Sequence, residues 1–242
     1  MAYRGRLKEA AQLSESAVRL ARQAGLKERS AQFAGARAAW SALFGMREEA
    51  QSSAAEAFSI FRGRDADYGP AFAGALLRDS KEAQQIVAEL EHRYPEDTSV
   101  QFSYLPALRG LEALDRGDPA KAVALTQVAN PYEFAVPGTA FWAGASFFGA
   151  LYPVYVRGLA FSRMDQHRQA AAEFQKIVDH PGIMMNDPMA PMARLQLARA
   201  LAATGDYAKS AAVYKDLLAI WKDADADIQV VQDARAESAK QQ

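Results

Sequence analysis

The sequence predicts an all-α protein, a solenoid of stacked antiparallel helical hairpins wound into a right-handed superhelix. Two observations carry this prediction. Through most of the 242 residues, apolar side chains recur at i, i+3, i+4 and i+7, which is the period of an amphipathic helix. In addition, the segment around Arg109-Gly110-Leu111 recurs in altered form around Arg157-Gly158-Leu159. A repeated helical unit explains both observations.

The composition excludes several classes of protein. Hydrophobic residues make up 50% of the chain, which is enough for a sizeable core. The net charge is −1, so no strong field attracts nucleic acid or an anionic membrane, and we expect neither partner. The absence of cysteine excludes disulfides, thiolate nucleophiles and zinc-thiolate sites. The sequence has no apolar signal peptide and no uncharged membrane-length run, so we expect a cytoplasmic protein.

Short polar junctions divide the helices. At the clearest one, Gly117 suits the left-handed end of a helix, Asp118 suits an N-cap and Pro119 suits the first helical position. Gly205 and Asp206 repeat this arrangement without the proline. Each junction predicts one helix ending and the next beginning.

The hairpins between these junctions share a pattern of small and large residues. In the last hairpin, Ala198 in the first helix and Tyr214 in the second occupy positions that Gly158 and Phe174 occupy one unit earlier. This pattern resembles the tetratricopeptide repeat, a two-helix unit of about 34 residues. The resemblance implies that the small residue in each first helix lets the paired helix approach closely.

Arg109 and Arg157 stand where this repeat normally has leucine, so each places a charge beside the helix-packing face. Such an arginine can extend its charged group to water or pair with a carboxylate. A role in binding an anion is the alternative.

The repeat pattern gives the domain organisation of the chain. We expect one solenoid domain over 1–242, which begins with a half repeat because the first helix fits a second-helix pattern. This start in mid-repeat suggests a fragment of a longer protein, or a gene whose upstream portion lies elsewhere. The parts are a half repeat at 1–27, degenerate repeats at 28–130, an aromatic insert at 131–153, the two clearest repeats at 154–222 and a capping helix at 223–242.

No motif predicts catalysis, a cofactor or a metal. The three histidines lack metal-ligand spacing, and the sequence has neither a nucleophile elbow nor a phosphate-binding loop. Asp223, Asp225 and Asp227 have the alternation of a calcium loop, but its sixth and twelfth positions hold Ile228 and Ala234 instead of glycine and glutamate. We therefore expect an inter-helix loop with a helix N-cap, and a protein that is not an enzyme.

Several segments together resemble a more specific family. LYPVYVRGLAF, AAAEFQKIVDHPGI, ARLQLARALAATGD and LLAIWKDADADI are similar to the C-terminal tetratricopeptide region of certain bacterial eukaryote-like serine/threonine protein kinases. The chain itself has no glycine-rich loop, H-R-D or D-F-G motif, so phosphoryl transfer does not follow. The resemblance implies the recognition or regulatory region of a signalling protein. Whether the parent is a kinase or another regulator, such as a DNA-binding protein, stays open.

The leading functional hypothesis is a non-catalytic scaffold that binds a peptide or protein segment of acidic character on its concave face. First helices line that face, and aromatic and arginine side chains are typical of binding hot spots. The alternative is that half of these side chains only contact neighbouring repeats or the aromatic insert. The predicted partner-binding residues are Tyr104, Leu111, Tyr152, Tyr155, Arg163 and Arg199.

A second hypothesis is a domain that senses a small molecule in a pocket formed around the aromatic segment from Phe134 to Phe148. That segment is too apolar for a free linker. We expect it to fold onto the solenoid, with a partner-binding patch as the alternative. A large enclosed apolar cavity would favour the sensor, and a continuous open groove would favour the scaffold.

Overall fold

The computed structural model describes residues 1–78, 80–135, 148 and 151–241. Within them the chain is helical and has no strand, which confirms the all-α prediction. The helices are α1 (Leu7–Gln23), α2 (Lys27–Leu43), α3 (Arg47–Ile60), α4 (Arg64–Leu76), α5 (Ser80–Arg93), α6 (Leu105–Asp115), α7 (Pro119–Gln127), α8 (Tyr152–Arg163), α9 (His167–Asp179), α10 (Pro181–Met184), α11 (Met189–Ala203), α12 (Tyr207–Ile220) and α13 (Gln229–Ala239). Short 3₁₀ turns at Ala2–Arg4 and Asn130–Tyr132 and a π-helical turn at Val100–Tyr104 complete the described elements.

The helices form two rows. Helices α2, α4, α6, α8 and α11 make an inner row, in which each contacts the next. Helices α3, α5, α7 and α9 each lie between two successive inner helices, as the second helices of hairpins do, and α1 packs on α2 in the same manner. This is the packing of a tetratricopeptide-like solenoid, as the repeat pattern predicts.

The predicted junctions have the expected geometry. Gly117 and Gly205 adopt φ values of 77° and 83°, which residues other than glycine rarely adopt. The Asp118 carboxylate accepts a hydrogen bond from the backbone N–H of Lys121 at 2.9 Å, and Asp206 caps α12 in the same way. Each helix start therefore has one of its free N–H groups satisfied by the residue that the sequence indicates.

The two repeated glycines are close-approach positions, as predicted. A Cβ atom placed on Gly158 would lie 2.6 Å from the ring of Phe174 on α9. A Cβ on Gly110 would lie 2.8 Å from the methyl group of Thr126 on α7. Phe174 and Thr126 are both fully buried, so neither can move aside cheaply. The glycine therefore sets how closely the two helices of a hairpin approach.

The array closes on itself through polar contacts between its two ends. The backbone N–H of Asp225 donates to the carbonyl of Gly5 at 3.0 Å, and the Asp225 carboxylate accepts from the N–H of Lys8 at 2.9 Å. The Lys8 ammonium also pairs with Asp227 at 2.8 Å. We call the contact between residues 3–8 and 221–227 the end clasp. The aspartate segment is thus an inter-helix loop, as predicted, but its Asp225 caps α1 rather than the helix that follows.

Apolar groups complete the end clasp. The indole N–H of Trp221 donates to the carbonyl of Tyr3 at 3.3 Å, and the indole ring lies 5.8 Å from the ring of Phe44 at the end of α2. Helix α11 also touches both α2 and the 3₁₀ turn at the N-terminus. Leu7 and Ile228 belong to one continuous core with these residues. The last inner helix therefore returns to the first.

We predict that Gly158→Ala lowers the free energy of unfolding by about 1–3 kcal/mol, because the added methyl group would overlap the Phe174 ring. Gly182→Ala is the matched control, since a Cβ there meets nothing within 4 Å. Urea titrations measure both changes. Equal unfolding midpoints for the two variants would contradict the assignment.

The cause of this loss of stability can be isolated in a protein that already carries Phe174→Leu. Phe174→Leu removes the ring that the methyl group would strike, so Gly158→Ala should cost less there, by about 0.5 kcal/mol or more, than in the wild type. The comparison is a double-mutant cycle. Additive losses would show that the strain arises elsewhere in the helix.

Candidate functional site

The inner face of the array was the predicted partner surface, and four of its six predicted residues are buried. The exposed fractions are 2% for Tyr104, 5% for Leu111, 2% for Tyr152 and 3% for Tyr155. The physical reason is local packing: Tyr104 and Tyr152 lie among the rings of α4 and Phe148, and Tyr155 packs on Phe174 of its own hairpin. The expectation of a solvent-reachable concave stripe is therefore not met in this structure. Partner binding by these residues stays a prediction.

Tyr104 occupies the end of the π-helical turn before α6. Its hydroxyl donates to Asp65 at 2.7 Å, and its ring stacks on Tyr68 with 3.9 Å between centroids and 11° between planes. Asp65 is in turn paired with its neighbour Arg64 at 2.9 Å. The tyrosine thus joins the start of α4 to the start of α6.

Tyr152 lies on the opposite side of the same group of rings. Its hydroxyl donates to Asp187 at 3.1 Å, and its ring makes edge contacts with Phe72 at 4.8 Å and with Phe148 at 5.6 Å between centroids. Tyr68 also contacts both Phe148 and Tyr152, so α4 and α8 meet across the interior. We call Tyr68, Phe72, Tyr104, Phe148 and Tyr152 the core aromatic cluster.

Tyr155 does not join this cluster. Its ring lies 5.8 Å from Phe174 on α9, inside its own hairpin, and burial raises the pKa of its hydroxyl well above the usual value. Tyr152 and Tyr155 therefore face different surroundings although they stand three residues apart. The spacing alone placed them on one stripe, and the packing of α9 and α11 separates them.

The two predicted arginines are more accessible. Arg163 is exposed and donates to the carbonyl of Leu114 at 2.5 Å, at the end of α6. Arg199 is half-buried and makes two hydrogen bonds of 2.8 Å each to Glu237 on α13. Glu237 also accepts from the hydroxyl of Tyr214 at 2.6 Å. Arg199 thus attaches the terminal helix to the array, and Arg163 remains on the surface.

Three residues of the interior were not singled out from the sequence. Tyr68, Asp65 and Phe72 lie one helical turn or two apart on α4, a spacing that could have indicated a shared face. Tyr68 is fully buried, and within the described part of the chain its hydroxyl has no hydrogen-bond partner. A buried hydroxyl without a partner is costly and calls for an explanation.

Asp187, between α10 and α11, has an unusual protonation equilibrium. The residue as a whole is half-buried, but its carboxylate points inward and accepts from Tyr152 and from the backbone N–H of Met189 at 2.8 Å. Burial raises the pKa of this carboxyl to about 7, and the two hydrogen bonds oppose the rise only in part. Asp187 thus changes charge near neutral pH.

The predictions for the aromatic insert fall mainly on 136–147 and 149–150, which lie outside the described residues. Two of the aromatic residues in its segment from Phe134 to Phe148 are described. Phe148 is buried in the core aromatic cluster, whereas Phe134 is 49% exposed and stacks on His180 at 4.3 Å.

The two repeated arginines pair with carboxylates, which is one of the two arrangements expected from the sequence. Arg157 is 3% exposed; it donates to the carbonyl of Thr126 at 3.1 Å and forms ion pairs with Glu133 and Glu173. Arg109, at the same position of its repeat, pairs with Glu91 at 2.6 Å near the surface.

Cavities and metal-ligand groups do not mark another site in the described residues. One cavity of about 180 Å³ lies among α3, α4 and α5, and its walls include Ala54, Phe58, Ala73 and Leu77. The described residues contain no group of three side chains that could share a metal ion. Among the described helices, none has the length and apolarity needed to span a membrane.

Comparison with known proteins supports the fold. No protein-family model matches the chain, and no curated protein matches it. Among solved structures, it is similar to yeast Tom70, a protein with tetratricopeptide repeats, with a TM-score of 0.50 and 14% sequence identity. The match covers 86% of this chain and 39% of the Tom70 chain, so this chain corresponds to well under half of that protein. At this identity the similarity shows a shared fold.

We predict that Arg157→Ala lowers the free energy of unfolding by about 3–5 kcal/mol, because it leaves buried Glu133 without its main cation. Arg109→Ala is the matched control and should cost about 1 kcal/mol or less, since its pair with Glu91 is largely exposed. Urea unfolding measures both. Similar losses of unfolding free energy would show that the two repeated arginines contribute equally to stability, which would contradict the prediction.

We also predict that Asp187→Asn flattens the dependence of stability on pH. The pKa of Asp187 is about 7 in the folded state, against about 3.9 in the unfolded chain. Between these values the folded state keeps a proton that the unfolded state has lost, so wild-type stability falls as pH rises through this window. The variant lacks this fall. Urea midpoints at pH 5 and pH 8 test it, with the same histidines in both proteins, and equal pH slopes would contradict it.

Proposed function

We propose that this protein is a non-catalytic scaffold for protein interactions, and that it is the recognition region of a cytoplasmic bacterial signalling protein. The observation that supports it most is the repeat architecture. Successive inner helices lie side by side, so that side chains from several hairpins would contribute to one continuous surface in an open array. Such a surface suits an extended peptide or a helix of a partner protein.

The proposed partner segment carries acidic residues beside apolar ones. Arg163 is exposed at the edge of the inner row, where it can attract a carboxylate. Arg199 already holds the carboxylate of Glu237 with two hydrogen bonds, and an acidic side chain of a partner has the same chemistry. Tyr104, Leu111, Tyr152 and Tyr155 supply the apolar contact area once the interior is reached.

The test is a selection of peptides from a random display library, followed by binding measurements with fluorescently labelled peptides at low and high salt. We expect enrichment of acidic and apolar sequences. Arg163→Ala should weaken their binding and flatten its salt dependence, because exposed charges are screened over about 10 Å at 0.1 M salt. The matched control is Arg168→Ala, an exposed arginine on outer helix α9.

Equal effects of the two arginine variants would contradict the placement of the site, and a selection without enrichment would contradict the scaffold. The non-catalytic part of the proposal has its own measurement. Purified protein with ATP and magnesium should hydrolyse no ATP and transfer no phosphate above buffer. Turnover that follows the protein through purification would overturn it.

A sensor of small molecules is the second candidate, and the Tyr68 hydroxyl favours it. That hydroxyl lies in the core aromatic cluster without a hydrogen-bond partner among the described residues, and Tyr152 links the cluster to Asp187. An aromatic or cationic metabolite could supply the missing hydrogen bond. A thermal-shift screen of metabolites tests this, with Tyr68→Phe as the variant that should lose any stabilisation. Ligands that stabilise both proteins equally would contradict it.

A further inference from the structure

We propose that the end clasp is the place where the closed array opens, and that its opening admits the partner segment to the inner face. The proposal rests on the scaffold function proposed above, because it explains how a partner would reach residues that are buried. It also accounts for the aspartate segment, to which the sequence assigns no catalytic or metal role.

The end clasp is built differently from the interfaces between successive hairpins. Those interfaces are apolar layers with small residues at close contact, such as Gly110 of α6 against Val156 of α8. At the clasp, the ion pair between Lys8 and Asp227 is mostly exposed, with side chains that are 70% and 63% accessible. Exposed pairs of this kind contribute little to stability and are weakened by salt. The polar part of the clasp therefore adds little to its stability, and salt weakens it further.

Asp225 couples the start of a helix to this closure. Arg6, at the N-cap position of α1, makes no side-chain capping bond, and the N–H of Lys8 is satisfied by Asp225 from the far end of the chain. Asp206 makes the equivalent contacts for α12 from the adjacent N-cap position. Its carboxylate accepts from the N–H of Lys209 and pairs with the Lys209 ammonium at 2.7 Å. Opening the clasp thus leaves α1 without a cap, whereas α12 keeps its own.

The apolar part of the clasp is closely fitted. A Cβ on Gly5 would lie 2.7 Å from the Cβ of Ala224, so the two segments touch at backbone distance. Beyond this contact, Trp221 touches Phe44 and Tyr3, and α11 touches α2 and the N-terminal 3₁₀ turn. Separation here would part α2 from α11 while each hairpin keeps its internal packing. The interior of the array, which holds the core aromatic cluster, could then be reached through the seam between α2 and α11.

Native-state hydrogen exchange tests the opening without any partner. We expect the amides of α1 and α2 to exchange through one partial opening, at rates at least tenfold faster than those of α6 and α8. The natural chain has no cysteine, so Lys8→Cys with Asp227→Cys can be joined by a short bismaleimide. The joined chain should lose this opening, and the α1 and α2 amides should slow at least tenfold. Unchanged rates would overturn the proposal.

Removal of the α1 cap gives an independent test, because it should promote the opening that the cross-link prevents. Asp225→Ala should speed exchange in α1 and α2 about fivefold, the factor expected for loss of a helix cap. Asp206→Ala is the matched control, which should speed exchange in α12 and leave α1 and α2 unchanged. If both variants act only on the helix that each aspartate caps, without effect on α2, the cap is local and the opening is refuted.

Binding separates the failure of this proposal from failure of the scaffold function. A peptide obtained by the selection above should associate at least tenfold more slowly with the cross-linked chain than with the same chain carrying two separate maleimide caps. Equal association rates would overturn the role of the clasp and leave the scaffold standing. If the selection yields no peptide, the scaffold and this binding role fail together, while the exchange measurements still decide whether the clasp opens.

Discussion

The contact between the two ends of the chain is the constraint on which the rest of this structure depends. A solenoid whose last hairpin ran free would leave the inner side of its first helices facing a groove. Here Trp221 and Asp225 meet Gly5 and Lys8, and α11 returns to α2. The inner row is consequently enclosed, and side chains that would line a groove become part of one core. Closure therefore joins the apolar side chains at the two ends of the array into the same core.

Because the inner row is enclosed, its buried polar atoms need hydrogen-bond partners within the protein. Tyr104 and Tyr152 carry their hydroxyls into the core, and each hydroxyl finds a carboxylate, on Asp65 and Asp187. A carboxylate in such a place is itself costly, which is why the pKa of Asp187 rises to about 7. An interior of leucines would have avoided both costs. The retention of hydroxyls and acids there is the main structural reason to look for a function at the inner face.

The local parts of this fold were predictable from the sequence, and the long-range parts were not. The caps at Asp118 and Asp206 and the glycine at 158 follow from rules that act within one hairpin. Closure joins Lys8 to Asp225, and no periodicity connects positions at opposite ends of a chain. The stripe that contained Tyr152 was placed on the correct row of helices. Its burial depends on contacts with Phe72 of another hairpin and with Phe148 of the aromatic segment, which the pattern of one hairpin does not contain.

The repeated arginines show how identical positions acquire different roles. Arg109 and Arg157 share a slot in the repeat, and the pattern treats them as equivalent. Around Arg157 the chain supplies Glu133, from the turn after α7, and Glu173, so that a buried charge cluster ties three segments together. Around Arg109 it supplies only an exposed carboxylate on α5 among the described ion pairs. A repeat fixes where a side chain stands, whereas the segments that depart from the repeat determine its energy. The functional properties of a solenoid therefore reside in its irregular parts: here the turn after α7, the loop that holds Asp187 and the end clasp.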